Sequence, residues 1–124
     1  MVETLNEYQE EAHKTATYME RVESEYPNLP QKVKDLLALS YACNGLGEAG
    51  EIQNKFKKVI RDTPEGMSED QIAEMRKELG DLMWYVAEIA TLLGTTLQEV
   101  AQGNVNKLQS RSDRGAIHGS GDNR

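Results

Sequence analysis

The sequence predicts an all-α protein built as a four-helix bundle. Apolar residues recur at spacings of three and four along four segments, strand-like alternation is nearly absent, and 124 residues of 13.9 kDa suit one domain better than two cores. The first segment, residues 4–24, places Leu5, Tyr8, Ala12, Thr15, Met19 and Val22 on one stripe. It stops before Tyr26-Pro27-Asn28-Leu29-Pro30, where two prolines forbid continuation. The second segment, residues 32–61, carries Leu39, Ala42, Leu46, Ala49, Ile52 or Gln53, Phe56 and Ile60. Gly45, Gly47 and Gly50 interrupt it, each costing about 1 kcal/mol of helix propensity relative to Ala. Such a cluster predicts either close helix packing or a local break.

Asp62-Thr63-Pro64-Glu65-Gly66 reads as a turn, and Ser68 followed by Glu69, Asp70 and Gln71 as an N-cap with an acidic first turn. The third helix then runs to Leu93 with Gly94 as its stop, burying Ile72, Met75, Leu79, Leu82, Val86, Ile89, Ala90 and Leu93. Thr95 or Thr96 caps a fourth helix with Leu97, Val100, Ala101, Val105 and Leu108 inward. Residues 1–111 make up the helical domain. Residues 112–124, SDRGAIHGSGDNR, are short of apolar anchors and read as a disordered tail. A bundle with so little apolar area per chain is expected to complete its core as an oligomer.

Composition narrows the function. Fourteen Lys plus Arg against 21 Asp plus Glu leave a net charge of −7, which argues against binding a nucleic acid polymer. No apolar run approaches the roughly 20 residues needed to cross a bilayer, and MVETLNEYQEEAHK lacks an apolar signal core. The expectation is a cytoplasmic protein without membrane partners. The single Cys43 can form neither an internal disulfide nor a thiolate metal cage, fits a reducing compartment, and reads most simply as a small buried apolar residue. Any metal would therefore have oxygen ligands.

Two acidic pairs at i,i+3 stand out, Glu48/Glu51 and Glu78/Asp81. At this acidic content roughly three or four such pairs arise by chance, and Glu7/Glu10, Glu20/Glu23 and Asp62/Glu65 are others. The two pairs differ from these in bordering a buried seam. On a helical wheel Glu48, Glu51 and Lys55 fall within about 60° of one another beside the apolar arc, and Glu78, Asp81 and Tyr85 do the same on the next helix. About 16 Å of helix separates Glu51 from the turn and about 15 Å separates Glu78 from Ser68, so an antiparallel hairpin sets the pairs at one height. Four carboxylates in one cleft repel unless a divalent cation neutralises them, and a carboxylate site without Cys or His selects Mg²⁺, with Mn²⁺ as a substitute.

Mg²⁺ completes its shell with water and substrate phosphates, so a phosphate ester is the natural guest. Lys55 falls on the stripe, and Lys58 and Arg61 lie just beyond it. Asn104, Lys107 and Arg111 share one face of the last helix and could hold phosphate or ribose oxygens. Trp84, the lone tryptophan, could stack on a base, although core packing is the more common use of such a residue. His13 and His118 lack the Glu-x-x-His spacing of di-iron bundles and receive no ligand role.

Taken in order, GLGEAGE (45–51), K-x-x-K-x-x-R-D (55–62), ELGDLMWY (78–85) and N-x-x-K-L-x-x-R (104–111) resemble the MazG-like all-α nucleoside triphosphate pyrophosphohydrolases. That group is related to dimeric dUTPases and dCTP pyrophosphatases, and the resemblance covers about residues 36–114. It implies that Glu48, Glu51, Glu78 and Asp81 are metal ligands and that Tyr85, Asn104 and Lys107 contact the triphosphate. It further implies hydrolysis of an (d)NTP to the monophosphate and pyrophosphate, in a homodimer or a dimer-of-dimers tetramer. The chemistry expected is in-line attack of water on the α-phosphorus, with Glu48 or Glu51 as base and charge neutralisation supplying most of the acceleration. Base identity does not carry over. The competing readings are a non-catalytic acidic helical dimer acting as an adaptor and, more remotely, a di-metal oxygen-activating bundle.

Overall fold

The computed structural model describes residues 1–63 and 65–116; Pro64 and residues 117–124 lie outside it. Six α-helices and one 3₁₀ turn follow in order: α1 Leu5–His13, α2 Tyr18–Glu25, α3 Gln31–Asn44, the 3₁₀ turn Gly45–Gly47, α4 Glu48–Asp62, α5 Glu69–Leu92 and α6 Leu97–Asp113. No strand occurs among the described residues. The four expected helices are thus present, two of them broken in the middle.

The first break was not foreseen. Residues 4–24 form two helices, because Thr15 turns its amide and its hydroxyl back onto the Ala12 carbonyl, at 3.0 and 2.7 Å, and ends α1 early. The second break falls in the glycine cluster and combines both outcomes expected there. Residues 45–47 tighten into the 3₁₀ turn, and Gly45 abuts the Tyr85 ring so closely that an added Cβ would fall 2.0 Å from its Cε1. Gly47 and Gly50 have open space beside them.

Helix ends follow the sequence closely. Thr4, Ser68 and Thr96 each close a capping box with Glu7, Gln71 and Glu99. Gly94, with φ +70, lets the chain leave α5 in the left-handed region. α6 continues two residues beyond the expected domain limit at 111, and residues 117–124 of the expected tail are outside the described region.

α5 is the axis of the molecule, packed by α1, α3, α4, α6 and the 3₁₀ turn, while α2 lies on α3. Ala12, Ala87, Ala90 and Leu97 form the centre, with Leu5, Tyr8 and Trp84 against it. The three alanines belong to α1 and α5, which pack closely along one another. Gln9 locks that junction, donating to the Thr91 hydroxyl at 3.0 Å and the Thr95 carbonyl at 2.9 Å and accepting from the Leu97 amide at 2.7 Å. On the other side Lys34 is buried and donates to Glu23 at 2.6 Å, tying α2 to α3. Lys34, Ala38 and Ala42 form the inner stripe of α3, which leaves Cys43 a third of a turn away and exposed rather than buried.

Much of the expected core is not buried within the chain. Phe56, Ile60, Leu79, Val86, Leu93, Val100, Val105 and Leu108 are exposed, with Ile60 at 64%, Leu79 at 54% and Leu93 at 63%. Periodicity marks the apolar side of a helix, and at these positions the fold of the single chain leaves that side uncovered.

Candidate functional site

The hairpin of α4 and α5 has the register that the helix lengths require. At its turn Gln71 Nε2 donates to the Thr63 hydroxyl at 3.4 Å, in its middle Lys55 meets Glu74 and Glu78, and toward its far end Glu48 and Asp81 line one pocket. That pocket, of about 330 Å³, is completed by Thr15, Trp84 and Tyr85. Two carboxylates from different helices therefore share a concavity walled by an indole and a phenol. The rings meet edge to face, with centroids 5.0 Å apart and an 89° interplanar angle.

The other two acidic candidates are adjacent but differently engaged. Glu78, one turn before Asp81, pairs with the Lys55 ammonium at 2.8 Å. Glu51, one turn after Glu48, is exposed on α4. Among the described residues no group of three or more His, Cys, Asp or Glu side chains is drawn together as a ready-made cage. The expected convergence of all four carboxylates is thus only half realised: like charges repel, and the nearest ammonium takes Glu78. The hydrogen bond to Glu78, then that to Glu74, holds the Lys55 ammonium above its ordinary pKa. Glu74 is held below the usual carboxylate range by Lys77 first and Lys55 second. In kind, the donor set suits a hard dication, since carboxylates supply it and no thiolate or imidazole lines the pocket.

The cationic and polar candidates divide. Lys55 pairs with Glu74 and Glu78, but it and Lys58 both line a separate cleft of about 320 Å³ with Asp70, Gln71 and Glu74, and neither lines the pocket of Glu48 and Asp81. Trp84 combines both of its possible roles, lining the pocket while its Nε1 donates to the Thr15 hydroxyl at 2.8 Å and the Ala12 carbonyl at 3.2 Å. α6 packs on α1 and α5 and does not touch α4. Within one chain, therefore, Asn104 and Lys107 are not brought onto the Glu48–Glu51 face, and Arg111 is buried, 6% exposed, in the last turn.

Sequence reasoning missed two residues. Thr15, read as a core position, lines the pocket. Glu88 is completely buried, accepts hydrogen bonds from the Tyr18 hydroxyl and, at 3.0 Å, from His13 Nδ1, and buries its Oε1 with no partner among the described residues. A signal for Glu88 was present: Glu78, Asp81, Tyr85 and Glu88 continue one stripe at spacings of three and four.

Residues 4–115 match the family described as the MazG nucleotide pyrophosphohydrolase domain. The chain is also 55% identical over 87 residues, 69% of its length and 76% of the relative's, to the "Gene 37 protein" of Mycobacterium phage L5. No solved structure matches it.

Proposed function

The chain belongs to the MazG family of nucleotide pyrophosphohydrolases, hydrolases of acid anhydrides, and on that premise we propose that it cleaves a nucleoside or deoxynucleoside triphosphate to the monophosphate and pyrophosphate in the pocket of Glu48 and Asp81. The observation that carries this reading is the sharing of that pocket by carboxylates of α4 and α5, with Trp84 and Tyr85 on its wall. Glu48, Glu51, Glu78 and Asp81 would hold Mg²⁺, with Mn²⁺ as a substitute, and the ion supplies positive charge opposite the phosphates when bound. Glu48 lies in the pocket and is the better placed of the two candidate bases to take the proton of the attacking water; Glu51 stands outside it. Lys55 hands its charge from Glu78 to the phosphates, and Tyr85 and Trp84 fix the nucleoside end. Asn104, Lys107 and Arg111 remain candidate phosphate contacts, reached from a second chain.

Turnover of a panel of all common NTPs and dNTPs, with pyrophosphate and phosphate release scored separately, tests the reading. Pyrophosphate release with Mg²⁺ or Mn²⁺, abolished by a chelator and restored by the metal, is the expected result. Inactivity on every nucleotide would favour the adaptor alternative.

The exposed apolar faces support a homodimer or a dimer-of-dimers. Ile60, Leu79, Leu93 and Val105 are each more than half exposed and lie on the apolar stripes of α4, α5 and α6. Sedimentation of the wild type is expected to give a dimer or larger species. The double substitution Ile60→Asp, Leu79→Asp should give a monomer of greatly reduced activity, and a wild type that is monomeric at micromolar concentration would refute this.

A further inference from the structure

Glu88 is the most deeply buried acidic or basic residue among the described residues, and the chemistry assigned to the pocket does not use it. Burying a carboxylate with one oxygen unpartnered costs about 1–3 kcal/mol, a cost that an apolar residue of similar size would avoid. Its placement accounts for its use. The two groups that donate to Oε2, His13 Nδ1 and the Tyr18 hydroxyl, belong to the last residue of α1 and the first of α2, so a single carboxylate oxygen grips both ends of the turn 14–17. Burial first, then the hydrogen bond to Glu88, pushes the Tyr18 phenol far above its ordinary pKa, so it stays a donor.

The middle of that turn is Thr15, whose hydroxyl donates to the Ala12 carbonyl and accepts from Trp84 Nε1. Trp84 stands one helical turn before Glu88 on α5. The axis thus holds the turn with two side chains four residues apart: Glu88 takes its flanks, and Trp84 takes its centre. Both Thr15 and Trp84 line the pocket that contains Glu48 and Asp81.

We propose that Glu88 is a positioning residue that, through His13, Tyr18 and the turn 14–17, sets Thr15 and the Trp84 indole as a fixed wall for the nucleoside end of the substrate. The kinetic half of this rests on the pocket's being the nucleotide site. The wall leaves the phosphates and the attacking water to the carboxylates. Loosening it therefore weakens binding of the nucleoside and spares the chemical step.

The test compares Tyr18→Phe, Glu88→Leu and Glu88→Gln with the wild type. Folding of each is checked by circular dichroism and melting, and Tyr18→Phe serves if Glu88→Leu does not fold. Trp84 is the only tryptophan, so acrylamide quenching of indole emission reads the wall without any nucleotide. Tyr18→Phe and Glu88→Leu are expected to increase quenching and to raise KM for the nucleotide about tenfold while kcat stays within about threefold. Glu88→Gln, which keeps an acceptor oxygen, should recover most of both. Wild-type quenching in a folded Tyr18→Phe, or a fall in kcat at unchanged KM, overturns the proposal. If the wild type turns over no nucleotide, the assigned chemistry falls and the kinetic half of the proposal with it, while the quenching result still decides the clamp.

Discussion

Asp81→Asn and Glu48→Gln are each expected to lower kcat/KM by about a hundredfold or more, with the melting temperature unchanged or slightly raised. Loss of activity follows because each substitution removes one of the two anionic groups facing the shared pocket and keeps its shape. Stability survives because neither side chain is buried in the core. Burial first, then the charges of Asp81 and Glu88, hold the Tyr8 phenol above its ordinary pKa. Neutralising one of them relieves repulsion. Pyrophosphate release with Mg²⁺ and a thermal melt measure the two quantities separately. Full turnover by Asp81→Asn would remove the pocket from the reaction.

Gly45→Ala is the second large effect, and it is structural in origin. Its Cβ would overlap the Tyr85 ring, which has little freedom to retreat because Trp84 meets it edge to face. Overpacking of this kind costs about 1–3 kcal/mol, or roughly 3–10 °C of melting temperature for a domain of this size. Tyr85 also lines the pocket, so KM should rise with the loss of stability. Gly47→Ala is the control. Gly47 has right-handed helical angles (φ −56, ψ −22) and open space, so alanine there should stabilise by about 0.4–1 kcal/mol through a less flexible unfolded chain. Equal melting temperatures for the two variants would contradict the assigned role of Gly45.

The sequence made some features legible and hid others for identifiable reasons. Caps, stops and the carboxylate register could be read because each depends on residues a few positions apart: Ser68 with Gln71, Gly94 after α5, and Glu48 and Asp81 equidistant from one turn. The break at Thr15 was hidden because an apolar stripe continues across it; a hydroxyl folding back on the backbone leaves the period intact. Lys58 could not be separated from Lys55 by spacing, because both line one cleft of the hairpin beside Glu74, and Lys55 in addition pairs with Glu78. The burial of Arg111 and the exposure of Leu79 lay beyond reach for a different reason. Periodicity marks the apolar side of a helix, but the neighbour that meets it is a property of the assembled molecule.

α5 alone carries Glu78, Asp81, Trp84, Tyr85 and Glu88, and nearly every other element rests on it. Because a helix advances about 100° per residue, adding or deleting one codon between Glu78 and Glu88 would swing every side chain after the change away from those before it at once. Changes of length are better accommodated at the joints between rods, and the spacing inside this one rod acts as a ruler for the pocket that it lines.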